Sequence, residues 1–124
     1  MRKILVVDDN QDILIALQEL LKFYGFEVFV TDSGEQVYNM IDAHDPDLLV
    51  LDVMLSGIDG TEICRSLKTN DNYRSLPIIM ISAHPNAQHM VTVAGANDFV
   101  AKPFDVGYLI EKIKKHLVPR LQTA

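Results

Sequence analysis

Short apolar runs recur along the chain, and polar residues separate each run from the next. Four runs are clear, at residues 4–7, 28–30, 48–51 and 78–81, and residues 99–101 form a weaker fifth. Uninterrupted runs of Val, Ile and Leu of this length are typical of strands that are covered on both faces, as in a parallel sheet. The pattern therefore predicts five strands.

Longer segments with apolar residues at helical spacing alternate with these runs. In the first, leucines recur every three or four positions up to Tyr24, and Gly25 follows as a stop signal. Ser33-Gly34-Glu35-Gln36 has the form of a capping box for a second helix that ends before Pro46. Asp105 is expected to cap the last helix. The helical segments are residues 13–24, 33–45, 61–69, 86–94 and 105–119.

This alternation predicts a doubly wound α/β domain built on one parallel sheet. The 124 residues suit a single domain, and no internal repeat or Pro/Gly/Ser-rich linker divides them. We expect the domain to span residues 1–119, with a short tail at residues 120–124. That leaves no room for an output domain, unless the chain is a domain excised from a larger protein.

Composition narrows the class of protein. The chain has 17 acidic and 11 basic side chains, a net charge of −6, which argues against binding to a nucleic-acid backbone. The one dense basic segment, Lys112, Lys114 and Lys115 with Arg120 beyond, is interpreted as the solvated face of the last helix. The single cysteine, Cys64, lies on an apolar stripe, which favours a core position over a redox role.

The chain has no recognisable targeting or membrane segment. The first apolar run stops after four residues, which is too short for a signal peptide. No stretch approaches the roughly 18 apolar residues that a membrane span needs. With one cysteine and no such segment, we expect a cytoplasmic protein in a reducing compartment.

Polar residues that could bind a ligand or take part in a reaction follow the predicted strands. Asp8 and Asp9 come after the first strand, Asp52 after the third, Ser82 ends the fourth, and Lys102 follows the fifth. The carboxyl ends of parallel strands share one edge of the sheet, where ligands of such folds bind. An aspartate at a strand end is, taken alone, more often a turn former or a helix cap. Convergence of all five residues at one edge of the sheet favours a ligand-binding site.

The residue types indicate the chemistry of that site. Three carboxylates in one crevice would repel one another unless a cation lies among them. Oxygen ligands without His or Cys favour Mg²⁺, with Mn²⁺ as a substitute, over zinc. A carboxylate beside such a cation can act as a nucleophile toward phosphorus, with a lysine and a hydroxyl holding the phosphoryl oxygens. The pattern therefore points to phosphoryl transfer.

At this point the chain resembles the response-regulator receiver domains of two-component signalling. Four blocks in the right order carry the resemblance, at residues 3–10, 51–60, 78–83 and 95–104. It implies a flavodoxin-like fold with five helices and strand order 2-1-3-4-5. It also implies a phosphoprotein that receives its phosphoryl group from a histidine kinase or a histidine phosphotransfer protein and signals to a downstream protein target. Such a domain is a regulatory phosphoacceptor, not an enzyme in the usual sense, although it catalyses its own phosphorylation and dephosphorylation.

The resemblance also implies residue roles. Asp52 corresponds to the phosphoacceptor, and Lys102 pairs with the phosphoryl oxygens, next to a cis Lys102–Pro103 bond. The cation is held by Asp9, Asp52 and the backbone carbonyl of Met54, with Asp8 acting mainly through water. Ser82 and Phe99 correspond to the switch residues that couple phosphorylation to the face made by the fourth helix, fifth strand and fifth helix.

Several positions depart from the common pattern of that family. Ser56 replaces the usual proline, Ser82 replaces the commoner threonine, and Phe99 lacks the hydroxyl of the commoner tyrosine. Met54 and His84 occupy positions that vary within the family. We expect them to tune the phosphoryl lifetime by setting the access of water, although a plain loop role for His84 is the simpler interpretation. His44, His89 and His116 lack metal-binding spacing.

Two alternatives from other classes fit less well. A flavodoxin-like FMN carrier would have a Ser/Thr-rich phosphate loop after the first strand, where this chain has Asp8 and Asp9. A phosphatase with an aspartate nucleophile would have a second acid two residues later, where this chain has Met54. The interpretation of choice is a phosphorylation-switched module that relays phosphate or binds another protein, with no direct contact to nucleic acid or membrane.

Overall fold

The computed structural model describes residues 2–122, and the side chains of residues 2–117. The strands in this part of the chain are β1 (Lys3–Val7), β2 (Glu27–Thr31), β3 (Leu48–Asp52), β4 (Met54–Leu55), β5 (Ile58–Asp59), β6 (Ile78–Ser82) and β7 (Asp98–Ala101). Five of them are parallel and form one sheet in the order β2-β1-β3-β6-β7. A two-stranded antiparallel hairpin, β4-β5, lies outside it. When this hairpin is set aside, the order is 2-1-3-4-5, as the resemblance implies.

Five helices cover the two faces of the sheet, and they confirm the predicted α/β alternation. The helices are α1 (Gln11–Phe23), α2 (Val37–His44), α3 (Gly60–Lys68), α4 (Ala87–Val93) and α5 (Val106–Gln122). Their positions match the segments of apolar periodicity, with shifts of one or two residues at most ends. The exceptions are the start of α2, which follows a separate 3₁₀ turn at Gly34–Gln36, and the end of α5.

The core consists of two layers, one on each face of the sheet. Successive side chains of a strand point to opposite faces. Ile4 and Val6 therefore pack in one cluster with the apolar faces of α1 and α5. Leu5 and Val7 pack in the other cluster with α2, α3 and α4. The side chains of β3 and β6 are buried along their whole length, as expected for strands covered on both sides.

Two details of the helices differ from the prediction. Ser33 makes no side-chain capping bond, because residues 34–36 form a 3₁₀ turn and the helix proper begins after Gln36. Helix α5 does not end near Pro119 but runs to Gln122. A proline removes one backbone donor from a helix, and here that loss does not terminate it. The proposed tail begins inside this helix, and residues 123–124 lie outside the described part of the chain.

The other caps agree with the sequence. Asp105 accepts a hydrogen bond from the Gly107 amide at 3.1 Å, at the start of α5. Gly25, with φ of +93°, turns the chain after α1. Helix α2 stops at Asp45, which adopts a left-handed conformation just before Pro46. Within residues 2–122, no helix has the length and apolar character that crossing a membrane requires.

Candidate functional site

The ends of β1 and β3 bring three carboxylates together. These strands are neighbours in the sheet, and their register pairs Val7 with Leu51. The residues that follow, Asp8 and Asp52, are therefore adjacent, and Asp9 comes next along the chain. Carboxylate oxygens of all three lie within 4.8 Å of one another. Asp8 and Asp52 are buried, whereas Asp9 is exposed.

Lys102 is the ammonium group that faces this cluster. Its Nζ lies 2.9 Å from Asp8 Oδ2 and donates a hydrogen bond to Asp52 Oδ2 at 3.2 Å. Its backbone N–H donates to the carbonyl of Ser82 at 2.8 Å, which fixes the end of β7 against the end of β6. The Lys102–Pro103 bond is cis, as the resemblance implies.

The electrostatics of the cluster follow from burial and like charge. Burial, followed by repulsion from Asp8, raises the pKa of Asp52 to about 6, against the opposing influence of Lys102. Burial alone would lower the pKa of Lys102, but the carboxylates of Asp8 and Asp52 raise it above its ordinary value. The one ammonium group of Lys102 therefore faces two buried carboxylates and a third at the surface.

The donor set fits a hard divalent cation. Asp8 Oδ2 is buried, and within the described residues its one polar contact is the ion pair with Lys102 at 2.9 Å. The other Asp8 oxygen accepts from the Asn10 amide at 2.9 Å. Lys102 is shared between Asp8 and Asp52, so its single positive charge does not balance both buried carboxylates, and a bound cation would compensate the remaining charge. Oxygen ligands of this kind suit Mg²⁺ or Mn²⁺.

An open cleft of about 530 Å³ lies over the cluster. Ser82 and His84 border this cleft together with Asp9, Asp52, Met54 and Lys102. The Met54 amide donates to Asp52 Oδ1 at 3.3 Å, and the Met54 residue, which borders the cleft, is 60% exposed. The hydroxyl oxygen of the buried Ser82 accepts from the His84 amide at 3.0 Å.

Phe99 lies apart from the cleft. Its half-buried side chain borders a groove of about 880 Å³ between α4, β7 and α5. This is the face to which the resemblance assigns signal output. The structure thus brings seven of the eight predicted site residues to one place, and puts the eighth on the neighbouring groove.

Three supporting residues were not assigned structural roles from the sequence. Asn10 caps α1 through its side-chain oxygen, which accepts from the amides of Asp12 and Ile13. Its position directly before a helical pattern was a usable signal. The Ser56 hydroxyl donates to Asp9 Oδ2 at 3.2 Å, so the residue that replaces the family's proline contacts the acidic cluster.

Gly60 is the third supporting residue. A Cβ at this position would lie 2.1 Å from the carbonyl oxygen of Asp52, and the Gly60 amide donates to the carbonyl of Val53 at 2.7 Å. The start of α3 therefore packs directly on the backbone of Asp52. The sequence does not predict this close contact between Gly60 and Asp52, because the contact depends on how the β4-β5 hairpin brings the chain back to the end of β3.

The remaining candidates have structural contacts. Cys64 is fully buried in the core, and burial raises the pKa of its thiol to about 11, as the core interpretation requires. His44 stacks on Phe29 with ring centroids 3.9 Å apart. Lys112 is not simply solvated, as the sequence suggested: its Nζ and His116 Nε2 contact Asp98 at 3.1 and 2.8 Å.

A comparison with known protein families identifies the family of this chain. Residues 4–114 match the family described as the response regulator receiver domain. The chain belongs to this family. The receiver is therefore a domain of two-component signalling, and the flavodoxin and phosphatase alternatives are set aside.

Solved structures agree with this assignment. A protein described as a response regulator from Chloroflexus aurantiacus J-10-fl is 35% identical, with a TM-score of 0.89 over 94% of this chain and 98% of that one. The receiver domain of NtrX from Brucella abortus is 33% identical, with a TM-score of 0.82 over 92% and 97%. A CheY-like receiver protein from Methanospirillum hungatei JF-1 is 25% identical, with a TM-score of 0.90 over 100% and 99%.

Proposed function

We propose that this receiver accepts a phosphoryl group on Asp52 from a histidine kinase or a histidine phosphotransfer protein, in a reaction that depends on Mg²⁺. The observation that carries the proposal is the acidic cluster itself. Three carboxylates lie within 4.8 Å of one another, and Lys102 contacts both buried ones. In two-component receivers, the family to which this chain belongs, such a cluster has a phosphoryl-transfer role.

Asp52 is the carboxylate best suited to be the nucleophile. It is buried, yet it borders the open cleft, and the Met54 amide and Lys102 orient its two oxygens separately. One oxygen forms the new bond to phosphorus while the bond from phosphorus to the donor's imidazole nitrogen breaks. Lys102 then faces the added negative charge. Water that enters the cleft reverses the modification by releasing inorganic phosphate and restoring the carboxylate.

Asp8, Asp9, Asp52 and the backbone carbonyl of Met54 are the groups that would hold the cation, with Asp8 acting mainly through water. When bound, Mg²⁺ supplies positive charge that offsets the acids and the phosphoryl oxygens. Mn²⁺ offers the same preference for oxygen ligands and serves as its substitute. Ser56 holds one oxygen of Asp9 and so limits the positions this exposed ligand adopts.

Ser82 and Phe99 are proposed to convert the modification into a signal. The Ser82 hydroxyl borders the cleft and turns toward the new phosphoryl group, while Phe99 repacks at the groove beside α4. Output is contact with a downstream protein or onward relay of the phosphoryl group, without direct contact to nucleic acid, and we place this activity in the cytoplasm. Met54 and His84 flank the path of water and tune the phosphoryl lifetime.

Phosphorylation by a small donor tests the proposal. The purified chain is incubated with acetyl phosphate and Mg²⁺, and intact mass is measured over time. We expect a mass increase of one phosphoryl group, which chelation with EDTA prevents and Mn²⁺ restores.

Asp52→Asn is the matched control, because it keeps the size of the side chain and removes the nucleophile. We expect no uptake by this variant. Uptake by Asp52→Asn at the wild-type rate would mean that another residue carries the phosphoryl group. Uptake in EDTA would mean that the reaction does not need a divalent cation.

A further inference from the structure

His84 makes three hydrogen bonds that hold the chain between β6 and α4. Its backbone N–H donates to the Ser82 hydroxyl oxygen at 3.0 Å. Its ring Nδ1 accepts from the Asn86 amide at 3.1 Å. Its carbonyl accepts from the Ala87 amide at 3.2 Å. One residue therefore connects a polar group of the cleft with the first residue of α4.

The ring contact supplies a partner that the start of α4 otherwise lacks. Asn86 occupies the N-cap position, but its side chain makes no capping bond and its backbone is not extended. Asn10 of α1, in contrast, has extended backbone and caps its helix with its side-chain oxygen. Uncapped amides at a helix start are a source of instability, most of all in a short helix. Helix α4 has only seven residues.

The hydrogen-bond geometry also assigns which nitrogen of the His84 ring carries the proton. A nitrogen that accepts a hydrogen bond carries no proton, so the neutral imidazole of His84 has its proton on Nε2. An asparagine at this position could replace the contact, because its side-chain oxygen readily accepts from the amide two residues later. An alanine could not. The chain thus offers a matched pair of substitutions.

We propose that His84 is a positioning residue that couples the Ser82 hydroxyl to the first turn of α4. The inference rests on the proposed function, in which that hydroxyl turns toward a phosphoryl group on Asp52. The turned hydroxyl no longer accepts the His84 N–H, so residue 84 shifts and its ring releases the Asn86 amide. The first turn of α4, beside the groove that contains Phe99, then opens more often.

Hydrogen exchange of the full chain tests this coupling. Amide exchange at residues 86 and 87 is followed in Mg²⁺, with and without beryllium fluoride as the phosphoryl mimic. In the wild type we expect the mimic to speed exchange roughly fivefold, the effect of losing one ordinary hydrogen bond. In His84→Ala we expect fast exchange already without the mimic, and no further change. His84→Asn should behave like the wild type.

Three results would overturn the inference. They are slow exchange of the Asn86 amide in His84→Ala without the mimic, a full response to the mimic in that variant, and an His84→Asn variant that behaves like His84→Ala. Phosphoryl uptake from acetyl phosphate and Mg²⁺ is measured by intact mass on parallel samples of the same proteins without beryllium fluoride. A wild type that takes up no phosphoryl group would overturn the proposed function, and with it the coupling. Normal uptake with any of the three results would overturn the coupling alone.

Discussion

At the scale of single residues, the main feature of the site is a pair of buried carboxylates whose negative charge is only partly compensated by one lysine. Asp8 is completely buried, and one of its oxygens has only an ion-pair contact to Lys102. Asp52 shares that lysine, and its pKa is raised by burial and by Asp8. A protein that needed these side chains only for stability would gain little from this arrangement. The arrangement is understandable if the site binds a cation and a phosphoryl group.

Gly60 allows a residue-scale test of how Asp52 is positioned. In Gly60→Ala, the new Cβ would overlap the carbonyl oxygen of Asp52, so the backbone must move. We expect a loss of about 1–3 kcal/mol in the free energy of unfolding, the usual cost of overpacking. We also expect roughly tenfold slower phosphoryl uptake, since small displacements of reacting groups are costly. Urea unfolding followed by circular dichroism, and intact mass, provide the two measurements.

Gly107→Ala is the matched control for this substitution. Gly107 also lies in the first turn of a helix, but a Cβ there would meet no atom closer than 3.7 Å. Alanine favours helix over glycine by about 1 kcal/mol. We therefore expect unchanged or higher stability and normal uptake. Equal behaviour of the two variants would contradict the close packing of α3 on Asp52.

At the scale of elements, side-chain contacts between β7 and α5 add to the apolar packing. Asp98, at the start of β7, accepts hydrogen bonds from the Phe99 amide at 2.9 Å and from Lys112 at 3.1 Å. His116, one turn further along α5, contacts its other oxygen. This carboxylate thereby connects the strand that leads to Lys102 with the helix that covers it.

The Asp98 contacts give a pH dependence of stability. Burial alone would raise the pKa of Asp98, but the contacts with His116, the Phe99 amide and Lys112 lower it below its ordinary value. A lowered pKa in the folded state adds stability above the pKa of the unfolded chain, near 4, and this stability is lost as pH falls through the folded value. We expect Asp98→Asn to lose about 1 kcal/mol at pH 7. Unfolding in urea between pH 7 and pH 3 measures the difference, which should shrink below pH 4.

Glu19→Gln controls for the general effect of removing a negative charge. Glu19 is exposed on α1 and has no hydrogen bond or ion pair within the described part of the chain. We expect little change in its free energy of unfolding at any pH in that range. A difference between Asp98→Asn and the wild type that stayed constant down to pH 3 would show that the carboxylate contributes nothing through its charge.

At the scale of the whole molecule, much of the fold could be predicted from the sequence. Strands β1, β3 and β6 each contain a run of four apolar residues because both of their faces are buried, and that pattern can be recognised without a structure. The acidic cluster was predictable for the same reason, since parallel strands end at one edge and Asp8 and Asp52 directly follow two of these apolar runs. The resemblance added the strand order and the residue roles.

Other features could not be predicted, because their local sequence signal is too short or misleading, or because they depend on contacts between distant segments. The β4-β5 hairpin has only two residues in each strand, too few for a detectable alternation. Ser33 has the right residue type for a cap, but the local 3₁₀ turn moves the helix start. The contacts of Lys112 and Gly60 arise because the fold places α5 beside β7 and α3 beside Asp52. These are tertiary effects, and local patterns carry no record of them.

The central claim is that Asp52 is the residue that carries the phosphoryl group, and chemical mapping of the unmodified chain tests it most directly. After incubation with acetyl phosphate and Mg²⁺, borohydride reduces an aspartyl phosphate to homoserine, and peptide mass spectrometry locates the change. We expect homoserine at position 52 and at no other aspartate. Reduction at Asp8 or Asp9, or a borohydride-resistant phosphoryl group on a serine such as Ser82, would contradict the account.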